Sequence, residues 1–329
     1  MKVLVTGGAG YIGSVLCELL LKKGHKVRIL DRFFFGRETI KHIENHPNLE
    51  IVQDDIRTCD ANVMNGIDAV IDLAALSNDP SGELDPEKTI SINFKGRKRI
   101  AKLAKLNGVR RYILASSCSI YGFQDGLLDE NSTTNPLTTY AKANLMAEKS
   151  TLALADENFF VSCLRMATVY GLSNRMRFDL AINGMVLGLY KNKQIPIMRD
   201  GKQFRPFVHV KDASMAFMLI LEAGKEIING QIFNIGSNEQ NYMIFDLAKM
   251  VSEAVNLPFN YEWYGSPDNR SYRVSFDKIK NNLGFKVQFT PKEGAKEIYN
   301  ALESGKVKED LKTITVRWYK HLIEKGEEI

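Results

Sequence analysis

Chemistry in this 329-residue chain concentrates first in seven residues, Gly7-Gly8-Ala9-Gly10-Tyr11-Ile12-Gly13. They follow an apolar run, Lys2–Thr6, and open a stretch of helical spacing, and that context gives a glycine pattern its meaning. Gly7 permits a tight turn, Gly10 lets the backbone approach a pyrophosphate, and Gly13 allows close helix–strand packing. The start of a helix adds free N–H groups and a positive dipole end for the phosphates, with Tyr11 and Ile12 beside them. Asp31 ends the next apolar run, about twenty residues on, where a carboxylate accepts from ribose hydroxyls and repels the extra phosphate of NADP. These residues predict NAD as the cofactor, although Arg32 next door could soften the repulsion. Asp54-Asp55-Ile56 ends a third run. Asp55 and Ile56 could flank the adenine, and a plain surface turn is the other reading.

The elements that must hold these residues alternate. Lys2–Thr6, Lys26–Leu30, Leu49–Gln53, Ala69–Leu73, Arg111–Ala115 and Val161–Met166 read as buried strands. Between them lie helical stretches: Ser14–Lys23, closed by Gly24; Ile92–Leu106, closed by Asn107-Gly108; and Tyr140–Ala155. Strands alternating with helices imply an α/β fold with a doubly wound parallel sheet of Rossmann type. After Tyr170-Gly171 the pattern loosens. Residues 1–170, with about 206–236, are expected to form the dinucleotide-binding domain, joined by strands at Phe207–Val210 and Ile232–Ile235. Residues 171–205 and 237–329 are expected to form a smaller α/β substrate-binding lobe.

Composition narrows the function classes. Forty-four basic against 39 acidic residues leave a net charge of +5, and basic clusters such as Arg97–Arg99 are short and dispersed. No basic run of the kind that marks a nucleic-acid tail is present. Cys17, Cys59, Cys118 and Cys163 are too scattered for a metal cluster and suit a reducing compartment. No apolar run is long enough to span a bilayer, and the first residues already read as a strand. A cytoplasmic protein that binds neither membrane nor nucleic acid is the expectation.

The glycine spacing resembles that of the extended short-chain dehydrogenase/reductase family, and further segments carry the same likeness. Leu73-Ala74-Ala75 is similar to that family's strand end beside the cofactor, and Asn93 to the asparagine of the following helix. Ser116-Ser117-Cys118-Ser119-Ile120-Tyr121-Gly122 resembles the catalytic serine strand, and Pro136-Leu137-Thr138-Thr139-Tyr140 the approach to the catalytic tyrosine. Arg205-Pro206-Phe207-Val208-His209-Val210-Lys211-Asp212 resembles a segment of the nucleotide-sugar epimerases and dehydratases within the family. The resemblance implies oxidation of a sugar hydroxyl, usually at carbon 4, with Tyr140 as general base and Ser117 hydrogen-bonded to the reacting oxygen.

One position departs from the pattern. The family has Tyr-x-x-x-Lys, whereas the fourth residue after Tyr140 is Asn144. On a helix the fourth position returns to about 40° from the tyrosine, while Lys142, two residues on, lies about 200° away. An ammonium about 5 Å from the phenol, at an effective dielectric near 20, favours the phenolate by roughly 3 kcal/mol. That equals about two units on a tyrosine pKa of about 10. Asn144 can bond the nicotinamide ribose but brings no charge. A slower oxidoreductase, another group activating Tyr140, and a protein that holds NAD without turning it over all remain open at this point.

The resemblance also bears on the substrate, a nucleotide-diphosphate sugar. In 4,6-dehydratases of the family an Asp-Glu pair stands at the positions of Cys118 and Ser119, so elimination is disfavoured here. Cys118 could act as an acid/base, but related cysteines lie one residue later, which favours simple packing. A 4-epimerase is the leading expectation, with a 4-dehydrogenase or ketoreductase as the alternative. Arg205 matches the arginine that binds the diphosphate, Arg270 or Arg273 would supply a second cation, and Thr168 replaces an asparagine that contacts it. Ion pairs of purely structural use are the competing reading for these arginines. Ser77, Asn78 and Asp79 could contact the sugar, or belong to a plain polar loop. A homodimer is expected to pair through the Ile92–Leu106 and Tyr140–Ala155 helices.

Overall fold

The computed structural model describes residues 1–327 and 329. Seven parallel strands form the large sheet, in the order Gln231–Ile235, Phe160–Met166, Arg111–Ser117, Ala69–Asp72, Lys2–Thr6, Lys26–Asp31, Leu49–Gln53. In the five central strands the Val, Ile and Leu side chains are buried on both faces, as a sheet covered by helices on each side requires, while those of the edge strand Leu49–Gln53 are partly exposed. Strand order reverses beside Lys2–Thr6, whose Thr6 aligns with Leu30 on one side and Asp72 on the other. The crevice at the carboxyl ends of strands around such a reversal is where open α/β sheets bind ligands.

The first helix spans Gly13–Lys22 and stops before Gly24, whose φ of +86° few other residues adopt comfortably. The stretch expected as a single helix, Ile92–Leu106, is instead two pieces, a π-helical turn Ser91–Gly96 and a helix Arg97–Leu106, preceded by a short helix Pro86–Ile90. The Thr139–Leu152 helix begins at Thr138, whose hydroxyl accepts from the Ala141 N–H at 3.1 Å. Its inner face carries Ala141, Ala143 and Ala147, small enough for a close approach, together with the buried polar residues Asn144 and Glu148.

The strand expected at Phe207–Val210 spans Phe204–His209; its Val208 packs in the same core as Val3 and Val5, but it lies outside the large sheet. It pairs in parallel with Thr168–Tyr170 and antiparallel with Asn241–Met243 in a separate three-stranded sheet. A buried apolar run has no preference between two sheets; its partner Thr168–Tyr170 has already left the large sheet after Met166. The helix Thr315–Glu324, expected with the lobe, packs Tyr319 and Leu322 into the core of the large domain. Trp318 Nε1 on the same helix donates to the Phe34 carbonyl at 2.7 Å. The lobe has its own core, with Phe178, Ile182, Ile197, Phe207, Leu247 and Ile298 at its centre. Among the described residues no helix is long and apolar enough to cross a membrane, and no cluster of side chains could hold a metal ion.

Candidate active site

A single cavity of about 850 Å³ opens along the carboxyl ends of the large sheet and extends between sheet and lobe. At one end lies the glycine loop. A Cβ on Gly13 would sit 2.2 Å from the Gly7 carbonyl oxygen, and one on Gly7 would meet the Ala74 backbone nitrogen at 2.9 Å. The loop can therefore be built only with hydrogen at these positions. The helix it opens has no side-chain cap and no acidic residue in its first turn, which leaves its positive end to an anion. Gly10, Tyr11, Ile12, Leu73, Ala74 and Ala75 all line the cavity beside it.

Asp31 lies at the same end. Its carboxylate accepts from the Ala9 N–H at 2.9 Å and the Phe33 N–H at 2.7 Å, an arrangement that aims it across the loop. Asp55 and Ile56 also line the cavity. Burial would raise the Asp55 pKa, but hydrogen bonds from Arg57 and Arg32 prevail and hold it at about 2. Arg32 is 2.6 Å from Asp55, so the cation that follows Asp31 is committed to a carboxylate of this chain. Nearby, Arg175 stacks over Phe35, with its guanidinium carbon 3.6 Å from the ring centre. Burial, and then the like charge of Arg177, lower Arg175 to about 9.

Asn93 is not brought to the cavity. Its side chain is fully buried and clips Leu76 from both sides, accepting from its N–H at 2.8 Å and donating to its carbonyl at 3.0 Å. Its contribution is to fix the strand end, because a side-chain amide has the donor and the acceptor that a peptide group needs.

Tyr140, Ser117 and Asn144 meet in the middle of the cavity. Burial, foremost, and the negative charge of Asp79 push the Tyr140 phenol above its ordinary value; Arg97 and hydrogen bonding with Asn144 and Ser117 pull the other way. Lys142 is exposed on the opposite side of the helix, as the helical angle requires. Of the two readings of Cys118, acid/base and packing, the structure gives the favoured one: its thiol faces the core, donates to the Arg165 carbonyl at 3.3 Å, and is raised far above its usual range by burial. Cys118 opens the helical turn that follows the strand and packs beneath it, while Ser116, Ser117 and Ser119 line the cavity.

The far end is cationic but internally paired. Arg205 lies 2.8 Å from Asp268 and stacks on Tyr272, and Arg270 bridges Asp268 and Asp79. Arg273 does not join them: it is exposed and stacks on Phe204 outside the cavity. Thr168, Ser77 and Asn78 line the walls. Ser77 Oγ accepts from Arg177 at 3.1 Å, and Asn78 donates to Asp179 at 2.6 Å.

Sequence reasoning gives no role to Arg97, Arg177, Asp179 or Asp268. Arg97 stands in one of the short basic clusters, yet it is only 1% exposed. The signal was there in the spacing, since Arg97 shares a helix face with the buried Ile100, Ala101 and Ala104. Among the described residues, Arg175 Nη1, Ser116 Oγ, Ser119 Oγ and Gln203 Oε1 are buried polar atoms without a protein partner, and all four residues line this cavity. Unsatisfied buried groups of this kind fit a polar ligand better than a dry void.

The model for the NAD dependent epimerase/dehydratase family matches residues 3–236. The chain belongs to this family. NAD is its cofactor, and the glycine loop and Asp31 fit that dinucleotide. Among the family's members, the uncharacterized UDP-glucose epimerase YtcB of Bacillus subtilis is 29% identical over 309 residues, covering 89% of this chain and 95% of that protein. A UDP-N-acetyl-alpha-D-glucosaminuronate decarboxylase of Bacillus cytotoxicus is 28% identical over 314 residues, covering 90% and 96%. Among solved structures, the UDP-glucuronic acid 4-epimerase of Bacillus cereus, in complex with UDP-glucuronic acid and NAD, superimposes with a TM-score of 0.83. It is 25% identical and covers 92% of this chain and 99% of its own.

Proposed function

We propose that the protein is a nucleotide-sugar 4-epimerase acting on a UDP-type substrate, with Tyr140 as its general acid/base. The observation that carries the reading is the meeting of Tyr140 and Ser117 in the cavity that the glycine loop opens, with no second free acid/base beside them among the described residues. Cys118 is turned into the core, and the nearest carboxylate, Asp79, is engaged by Thr138 and Arg270. A reaction that removes and returns a proton at one oxygen needs one such group, whereas elimination needs more.

In this reading the glycine loop, Asp31, Asp55 and Ile56 hold the dinucleotide, and Ser77, Asn78, Thr168, Arg205 and Arg270 hold the nucleotide sugar. NAD held there would supply a reversible hydride acceptor for carbon 4. Tyr140 accepts the hydroxyl proton at its phenolic oxygen and later returns it, while Ser117 hydrogen-bonds the reacting oxygen and keeps it in reach. We further propose that the protein works in the cytoplasm as a homodimer paired through its Arg97–Leu106 and Thr139–Leu152 helices.

The test is incubation of the NAD-loaded protein with UDP-glucose, UDP-glucuronic acid and their N-acetylated counterparts, with products resolved by NMR. A 4-epimer formed without net NADH or carbon dioxide is expected, and Tyr140→Phe should abolish it while NAD binding persists. Stoichiometric NADH release would point to a dehydrogenase instead, and carbon dioxide to a decarboxylase. Full turnover by Tyr140→Phe would remove the catalytic assignment.

A further inference from the structure

Arg97 opens its helix directly after the π-helical turn Ser91–Gly96, yet its side chain runs inward rather than to solvent. Its guanidinium is 1% exposed. One edge serves the large sheet: Nε faces the Asp72 carboxylate at 3.4 Å, and Nη2 donates to the Asp72 carbonyl at 3.0 Å and to the carbonyl of Ala115. The other edge faces the active site, where Nη1 donates to Asn144 Oδ1 at 3.0 Å. Asp72 is itself fully buried and accepts from Thr6 at 2.5 Å and from the Tyr112 hydroxyl, so the carboxylate is fixed behind the guanidinium, on the side away from Asn144.

This contact settles how the Asn144 amide is turned. Arginine has donors and no acceptor, so the oxygen of Asn144 must face it and the NH₂ must face the other way. One N–H of that NH₂ bonds the Tyr140 backbone carbonyl at 3.0 Å, and Arg97 and Asn144 both act on the Tyr140 phenol in the direction of the phenolate. A neutral amide held by a cation presents a polarised donor to the tyrosine, and the cation lies one residue behind it in a site of low dielectric.

We propose that Arg97, acting through Asn144, is the positioning residue that activates Tyr140: it locks the asparagine as a donor and supplies the positive charge that favours the phenolate. The inference rests on Tyr140 being the general base. It answers the question left open by an uncharged residue four positions after the tyrosine. The other charges around Tyr140 do not do this work. Asp79 opposes it and is tied to Arg270; Arg177, which also feels Tyr140, is paired with Asp179 at 2.6 Å; Glu83 accepts from the Thr139 N–H; Lys142 is exposed on the far face.

The experiment reads the Tyr140 phenol directly and turnover separately. Tyrosine ring-carbon NMR of the full-length protein, with the Tyr140 signal assigned by its loss in Tyr140→Phe, gives the phenol titration with no substrate present. In the double variant Arg97→Gln/Asp72→Asn, which leaves no unpaired buried charge, the Tyr140 titration should move alkaline by about one unit or more. The rate at neutral pH should fall about tenfold and recover toward high pH. Arg97→Lys should restore part of the shift, since it keeps charge but loses the fork. Asn144→Asp covers the case in which the double variant fails to fold. It keeps the size and gains an ion pair with Arg97, yet replaces the donor by an acceptor, so the same alkaline shift is expected. A folded double variant, or Asn144→Asp, with the Tyr140 titration unmoved overturns the proposal. A shifted titration together with an active Tyr140→Phe would instead overturn the assignment of Tyr140 as base and leave the Arg97 effect standing.

Discussion

At the scale of single residues, the chain shows how a lost charge can be replaced from a distant point in the sequence. Asn144 lies forty-seven positions from Arg97, and neither residue alone carries chemistry. The consequence is testable with a substitution that looks restorative. Asn144→Lys would bring an ammonium against a buried guanidinium whose single counter-ion, Asp72, lies on the far side. Like charges in a dry site are costly, so this variant should lose roughly 2–4 kcal/mol of stability by denaturant unfolding. Equal or greater stability would mean that Arg97 can swing away. A second buried pair, Glu148 with Arg165 at 2.9 Å, holds the same helix against the neighbouring strand. Glu148→Ala leaves Arg165 unpaired and should cost about 3–5 kcal/mol, with little change in the pH dependence of turnover.

At the scale of elements, the site is a meeting of strand ends and helix starts. Thr6, Asp31, Asp72 and Ser117 stand at the carboxyl ends of four parallel strands. Gly13 and Arg97 open helices, and Tyr140 lies in the first turn of one. Parallel pairing puts all those ends on one edge of the sheet, which is why residues so far apart in sequence converge. The same elements carry the proposed dimer contact. Leu106 is 82% exposed and Met146 39% exposed on the two helices named, more apolar surface than a solvent-facing helix needs. Sedimentation of the protein should give a dimer, and Leu106→Glu/Met146→Glu should give monomers. Monomers of the unaltered protein across the accessible concentration range would remove the dimer.

At the scale of the whole molecule, the fold holds two carboxylates ionised by cations packed against them. Burial would raise Glu297, on the Pro291–Glu303 helix, but hydrogen bonds from His209 and Lys211 hold it at about 2. Asp55 lies equally low against Arg57 and Arg32. A carboxyl whose pKa is depressed in the folded state stabilises the fold above its unfolded value and loses that effect as pH falls through the folded value. The melting temperature should therefore fall between about pH 4.5 and pH 2. Glu297→Gln should flatten part of that decline; an unchanged profile would mean that the Glu297 contact is not held in solution.

Much of this was legible in the residues. The Leu49–Gln53 strand, the glycine loop, the Asp31 position and the outward side of Lys142 follow from periodicity and local stereochemistry, because each depends on neighbours within a turn or a strand. The choice of sheet for Phe204–His209, the split of the Ile92–Leu106 stretch, the inward turn of Cys118 and the exposure of Arg273 do not. Each depends on which surface the chain meets after a connection, and composition is silent about that. The clearest case is the active tyrosine. Sequence alone determined that a dinucleotide loop and Tyr140 are present and that no lysine follows at the fourth position. Only the tertiary structure decided where the compensating charge comes from, because burial of an arginine is set by a carboxylate on another strand and not by its own neighbours.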